Sequence, residues 1–304
     1  MNKFTFIVNP VSGKRGGERA ARLLHREIQR KGATSEIVLT HREGHATEIA
    51  YNAPIGTIIA VGGDGTVNEV VNGIIGTKKI LGIVPTGSGN DLTKSLKVPS
   101  NLPEIVDVLL RGKTTPIDVG TIRCSRKGQI AQIAGNSKPR YFVNGVGIGF
   151  DAAVAEKTRH IRFLSGTILY VAAVLLTLGR YKPHLFEICI DSVSKSSKRL
   201  LIAIGNGTCS GGAFYLTPDA KIDDGLLDLC CIDDMPVHRI LSLIPLVMKG
   251  THIDADGVDS EKGREISISS DAYFFVHADG EIVGRDVNKV DIGILNKKLD
   301  VIVG

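Results

Sequence analysis

Tryptophan is absent from the chain, and aromatic residues make up only 5% of it. A platform for single-stranded nucleic acid needs exposed rings on which bases lie, so nucleic acid drops out as a partner. Cysteine is scarce: Cys124, Cys189, Cys209, Cys230 and Cys231 are an odd number without CxxC or Cys/His ligand spacing. That pattern indicates neither a zinc site nor a disulfide framework and fits a reducing cytoplasm. Long apolar runs are missing as well. The longest, Ile168 to Leu178, has 11 residues, and as a helix it would cover only about half of the roughly 30 Å hydrocarbon core of a bilayer. The opening run Phe4 to Val8 is too short for a signal peptide, has no cleavage site behind it, and reads as a strand.

What is present suits an enzyme. A chain of 304 residues and 32.5 kDa has room for two domains and a sizeable core. Its 43% hydrophobic and 23% charged residues are a globular mixture, against disorder or a fibrous repeat. The net charge of +5 is concentrated in one place, because the seven basic and two acidic residues from Lys14 to Lys31 account for all of it. On a helix Arg15, Arg19, Arg22, Arg26 and Arg30 form a stripe opposite Ala20, Leu24 and Ile28. The stripe reads first as a solvated face and second as a surface for anions or membrane. His25, His45, His160 and His238 lack metal spacing and read as surface or packing residues.

Through the first 120 residues, short apolar runs alternate with helical patterns: Phe4 to Val8, the basic helix, Glu36 to Thr40, a helix from about Gly44, Thr57 to Val61, another helix, and Ile80 to Val84. This is the order of an α/β domain with a parallel sheet between helices, its ligand loops at the carboxyl ends of the strands. From about Arg123 the texture changes. Turns are expected at Lys127 to Gln129 and Asn136 to Arg140, followed by strands at Tyr141 to Asn144, Leu185 to Asp191, Leu200 to Gly205, Leu226 to Ile232, Glu265 to Ser270 and Tyr273 to His277. Helices near Gly166 to Gly179 and Pro236 to Lys249 interrupt them. The first of these reads as core rather than membrane contact. The expected domains are 1–122, with 290–304 able to return to it, and a β-rich sandwich over 123–289.

Three glycine turns follow strands of the first domain: Asn9 to Lys14, Gly62 to Thr66, and Pro85 to Asp91. In a parallel sheet they meet at one edge, where amides unshielded by Cβ atoms approach phosphate oxygens. The Walker pattern fails because Arg15 follows Gly13 and Lys14, and the dinucleotide pattern fails because Gly87 and Gly89 are followed by Leu92 where a third glycine belongs. A different phosphate loop is implied. Asp64 would repel a phosphate unless a cation lay between them, and magnesium suits that place. Asp91 and Asp118 are expected to join Asp64 in an acidic cluster offset by Lys14 and Arg19, although Asp91 also reads as the cap of a helix beginning near Leu92.

Taken in order, Asn9 to Gly13, Thr40 to Ala46, Gly62 to Glu69 and Gly87 to Asp91 resemble the catalytic domain of the diacylglycerol kinase and sphingosine kinase family. The resemblance continues through Asn144 to Asp151, Gly205 to Gly207, Pro218 to Asp228 and Asp279 to Glu281, and is nearest to the bacterial lipid kinases. It implies an NAD kinase-like nucleotide-binding domain, a β-rich second domain closing a cleft over it, and transfer of the γ-phosphoryl group of ATP to a lipid hydroxyl, diacylglycerol first among the acceptors; a sphingosine-, ceramide- or phosphatidylglycerol-like acceptor, an NAD or small-molecule kinase, and a nucleotide-binding regulator without catalysis are the competing readings. It implies that Asn9, Pro10, Ser12, Gly13, Thr40, Gly62, Gly63, Asp64, Gly65, Thr66, Asn68 and Ser88 hold the nucleotide. Asp64, Asp91 and Asp118, with Lys14 and Arg19, resemble the family's magnesium and water network. Lys221, Asp224 and Leu226 match a second, structural Mg²⁺ position; a hairpin turn at Asp223, Asp224 and Gly225 is the competing reading. Glu281 matches the proton acceptor. The enzyme is expected to approach anionic membranes from the water side, and a homodimer is left open.

Overall fold

Parallel strands buried on both faces need continuous apolar runs, and the first part of the chain supplies them. In this computed structural model residues 3–126, 139–158, 166–179 and 181–304 are described, without the side chains of Lys14, Arg15, Thr158 and 166–171. His160 and most of the turns expected around 127–140 lie outside the described residues. The chain divides into two units, Met1–Val119 with Asn296–Gly304, and Gly120–Leu295. The first contains β1 (Lys3–Val8), α1 (Ser12–Arg30), β2 (Thr34–Leu39), α2 (His45–Asn52), β3 (Thr57–Gly62), α3 (Asp64–Ile74), β4 (Ile80–Pro85), α4 (Asp91–Ser95), α5 (Leu102–Arg111) and the start of β5 (Thr114–Ser125).

Its strands lie in the order β4, β3, β1, β2, all parallel, and Val301 pairs with Leu81 to bring the C-terminal strand beside β4. Phe4, Phe6, Ile59 and Val61 pack against Ala21, Leu24 and Ile28 of α1. Ala21, not Ala20, completes the buried stripe of α1. The helix α5 was not read from the sequence, yet its signals are local. Asn101 caps it by accepting the Glu104 N–H at 3.0 Å, Pro103 stands in the first turn, and Gly112 closes it.

The second unit continues with β6 (Arg140–Phe142), β7 (Gly145–Gly149), α6 (Phe150–Thr158), α7 (Gly166–Leu178), β8 (His184–Ile190), β9 (Val193–Gly205), β10 (Leu227–Asp233), α8 (Val237–Lys249), β11 (Val258–Gly263), β12 (Glu265–Ala278) and most of β13 (Glu281–Ile302). Antiparallel pairs connect β11, β10, β9, β7, β12 and β13 in that order. The long strands β9 and β12 each pair with β7 at one end and with β8 at the other, so the sheet folds over a core that includes Phe142, Phe186, Ile202 and Phe274. A second core lies where α6, α7 and α8 cover Leu201, Ala203, Cys230 and Ile232. The architecture is a parallel α/β domain followed by a β-rich sandwich.

Several element boundaries differ from expectation. Glu265 to Ser270 and Tyr273 to His277 are one strand, β12, whose register shifts between Ser269 and Phe274. Of the expected strand Tyr141 to Asn144, only Tyr141 and Phe142 are extended, in β6; Val143 and Asn144 form the bend that leads into β7. Asp223, Asp224 and Gly225 make no hairpin, since β10 pairs with β9 and β11. Of α7, Ala173, Val174 and Leu178 are buried, while Leu175 and Leu176 are 51% and 56% exposed. Among the described residues no helix is long and apolar enough to cross a membrane.

Candidate active site

Parallel strands deliver β1, β3 and β4 to one edge, and the three glycine turns meet there. The backbones of the second and third turns touch: a Cβ on Gly87 would lie 2.5 Å from the Gly63 Cα. Gly13 packs equally closely, its would-be Cβ falling 2.3 Å from the Thr86 carbonyl oxygen, with φ of +58° that favours glycine. Ser12 and Thr86 share a hydroxyl hydrogen bond at 3.0 Å, and the Asn9 amide donates to Thr66 Oγ1 at 3.4 Å. Asn9, Pro10, Ser12, Gly63 and Gly65 are partly open and Ser88 is exposed. Asn68 is fully buried, and Thr66 and Thr40 nearly so; these three build the loops from behind. Thr86 was not singled out from the sequence, although a hydroxyl directly after β4 was a signal for it.

The acidic residues do more for the backbone than their spacing implied. Asp64 Oδ2 accepts the Asn90 N–H at 2.8 Å and Oδ1 accepts the Asp91 N–H at 2.7 Å, so the second loop holds the third. Glu69 does the same for the Thr40 to Ala46 segment, accepting the Gly44 and Ala46 N–H groups at 2.9 Å each. Asp118 is fully buried and accepts the Lys297 N–H at 2.6 Å. Asp91 is the first residue of α4 rather than its cap, the cap position being taken by Asn90.

Among the described residues no three His, Cys, Asp or Glu side chains stand close enough together to ligate one ion. Asp64, Asp91 and Asp118 therefore do not form the expected acidic cluster as a direct ligand set. Two of them do adjoin: a Cβ on Gly89 would lie 2.7 Å from Asp64 Oδ2 and 3.6 Å from Asp91 Oδ2. Two hard carboxylates beside glycine amides fit a magnesium ion, which keeps several waters and takes its other oxygens from phosphate.

In the second unit Asp279 and Gly280, with φ of +48° and +81°, make the two-residue turn between β12 and β13. Glu281 follows, partly exposed and paired in register with Ala278. Asp224 is exposed and its Oδ1 accepts the Leu226 N–H at 3.0 Å, a local turn that leaves Lys221 on the same segment. An apolar cavity lies among α6, α7, α8, β9 and β10, with Val154, Val174, Leu201, Phe214 and Leu243 in its walls and Asp151 as their charged member. Asp151 is hydrogen-bonded to His277 Nε2 at 2.8 Å, both nearly buried. Gly147 makes room for this pair, since a Cβ there would come within 2.2 Å of each. Neither the cavity nor the pair was legible in sequence, because their residues come from six elements.

The basic helix is partly neutralised from within. Arg22 pairs with Glu18 at 2.6 Å and Arg30 with Glu27 at 2.9 Å; Arg19 and Arg26 are exposed. The Lys14 side chain lies outside the described residues. His25 bonds Ser35 Oγ at 2.8 Å and His238 is exposed, a packing and a surface role respectively. All five cysteines are free thiols; burial pushes the Cys124, Cys230 and Cys231 thiols up to about 12 and keeps them protonated.

Comparison with known proteins agrees with this arrangement. Residues 3–122 match the family model described as diacylglycerol kinase catalytic domain, and residues 144–303 match the one described as YegS C-terminal NAD kinase beta sandwich-like domain. A protein named diacylglycerol kinase from Staphylococcus haemolyticus is 32% identical over 285 residues, covering 92% of this chain and 82% of that protein. One of the same name from Mycobacterium tuberculosis is 29% identical over 290 residues, covering 92% and 89%. A crystal structure of a Bacillus anthracis str. Sterne protein shares the fold, with a TM-score of 0.76 at 23% identity over 100% of this chain and 97% of that one. With both domain models matched in order, and the glycine turns and sandwich where that order requires them, the chain belongs to the diacylglycerol kinase family of lipid kinases.

Proposed function

We propose that the protein transfers the γ-phosphoryl group of ATP to the hydroxyl of a diacylglycerol-like lipid, giving a phosphatidic acid. The apolar cavity of the second unit carries this reading. Walls of Val, Leu, Ile and Phe match an acyl chain better than NAD or another water-soluble acceptor, and the cavity, about 60 Å³ as it stands, has to widen to admit one. The glycine turns offer the triphosphate backbone amides at a sheet edge, and Ser12 and Ser88 add hydroxyls. Asp64 and Asp91 would hold magnesium there, which when bound neutralises charge developing on the phosphates.

Glu281 is assigned the proton of the lipid hydroxyl. An alcohol is a weak nucleophile, and a carboxylate within hydrogen-bond reach accepts its proton as the bond to phosphorus forms. The acceptor resides in a bilayer, so the enzyme works in peripheral contact with anionic membranes. Incubation of the purified protein with γ-labelled ATP and separate mixed micelles of diacylglycerol, sphingosine and phosphatidylglycerol, with NAD as a water-soluble control, tests the reading. Labelled phosphatidic acid is the expected product; label on NAD alone, or nucleotide binding without any transfer, overturns it.

A further inference from the structure

Three backbone amides of the second unit converge on one carboxylate. Asp279 Oδ2 accepts the Val143 N–H at 3.0 Å, and Oδ1 accepts the Asn144 and Gly145 N–H groups at 2.9 and 3.0 Å. The Asp279 N–H in turn donates to the Gly145 carbonyl at 2.8 Å. The residue is only 6% exposed. A two-residue hairpin turn gains nothing from a buried carboxylate, because Asp is favoured there for its tolerance of positive φ and its side chain commonly faces water.

The segment that receives Asp279 is itself locked. The Asn144 side chain donates to the Cys209 carbonyl at 2.7 Å and the Asn206 side chain to the Val143 carbonyl at 2.8 Å. The Asn206 and Gly207 N–H groups donate to the Asn144 carbonyl at 2.9 and 2.8 Å, and Thr217 holds the Gly207 carbonyl. Three separated motifs, Asn144 to Asp151, Gly205 to Gly207 and Asp279 to Glu281, thus form one buried polar scaffold beneath the turn. Glu281 leaves the turn two residues after the clamp.

We propose that Asp279 is a positioning residue: by fixing the turn on the Val143 to Gly145 amides it sets the direction in which the Glu281 carboxylate is presented. This rests on Glu281 being the proton acceptor. Without the clamp the turn rocks at the end of a hairpin, and misplacement by about 1 Å of a reacting group costs about 100-fold in turnover.

The test uses the full chain, ATP and dioleoylglycerol in mixed micelles, with Asp279→Asn, Glu281→Gln and the double variant. Asp279→Asn is expected to lower kcat by about 30- to 100-fold while both KM values stay within about twofold. The double variant is expected to be no slower than Glu281→Gln, because a residue that acts through Glu281 has nothing left to position. Hydrogen exchange at Val143, Asn144 and Gly145 should accelerate in both variants that carry Asp279→Asn and stay at the wild-type rate in Glu281→Gln. Unchanged kcat in Asp279→Asn, or losses that multiply in the double variant, overturn the positioning role. Failure of the functional reading looks different, since the wild type then gives no phosphatidic acid.

Should Asp279→Asn not fold, Gly280 answers the same question. Nothing lies within 4 Å of a Cβ there and its φ is +81°, so a substitution tests the turn alone. Gly280→Asn, which tolerates positive φ, is expected to keep most of the turnover, and β-branched Gly280→Val to lose kcat at constant KM. Equal kcat in the two overturns the proposal.

Discussion

Asp64, Glu69, Asp118 and Asp279 each accept backbone N–H groups of a segment distant in sequence. At the scale of single residues, then, the motif acids organise loops as well as supply charge. Asp64→Ala is expected to abolish phosphoryl transfer, and because it orphans the Asn90 and Asp91 amides it should also lower stability by about 1–3 kcal/mol. Urea unfolding beside a turnover assay measures both. A stable, active variant would remove Asp64 from loop and mechanism alike. Asp228 behaves differently. Burial holds its carboxyl above the ordinary value of 3.8 in spite of Lys262, whose Nζ stands 2.9 Å away. Between that ordinary value and the raised one the folded protein binds more protons than the unfolded chain, so this group's contribution to stability rises as pH falls. Lys262→Met leaves an ionised buried carboxylate at neutral pH. It is expected to cost about 1–2 kcal/mol there, a figure discounted for the exposure of Lys262. The difference from wild type should shrink as acid protonates Asp228; a pH-independent difference in thermal unfolding would contradict this.

Between elements, the contact that matters most is glycine on glycine. The β3–α3 and β4–α4 turns approach through Gly63 and Gly87, so Gly87→Ala drives a methyl group against the Gly63 backbone. The expected result is weaker ATP binding by at least about tenfold and a stability loss of about 1–3 kcal/mol. Calorimetric titration with ATP checks it, and wild-type affinity would show that the two turns need not touch to bind nucleotide. Gly179 is the natural control, since its would-be Cβ meets nothing within 4 Å and substitution there should leave ATP affinity alone.

For the whole molecule, the net charge of +5 arises from the segment Lys14 to Lys31, α1 and its C-cap residue, and its pairs decide how much of that charge is available. Glu18 and Glu27 already engage Arg22 and Arg30, which leaves Arg26 as the member of the trio without an ion pair among the described residues. Each basic residue near an anionic surface contributes about 1 kcal/mol, so changing Arg22, Arg26 and Arg30 to Gln is expected to weaken vesicle binding several-fold rather than eliminate it. Cosedimentation with anionic vesicles at two salt concentrations measures this. Equal binding by both proteins would make the stripe a solvated face.

By itself the sequence determined the alternation that builds a parallel α/β domain, the three glycine turns at its strand ends, and the change to strands after Arg123. Those features are local: apolar period, glycine and turn chemistry act within a few residues. Local signals for α5 were present at Asn101 and Gly112 and went unread. The strands β5, β11 and β13 carry charged residues on exposed positions, and their identity as strands comes from partners far along the chain. Only the tertiary structure decided that Asp64 and Asp91 adjoin while Asp118 faces the Lys297 amide, that Asp279 is clamped, and that five elements enclose an apolar cavity around Asp151. A side chain's type states what it can bond, but which of several competing partners it meets is set by the packing of elements that the chain brings together from 27 residues apart, as at Asp64 and Asp91, to 179 apart, as at Asp118 and Lys297.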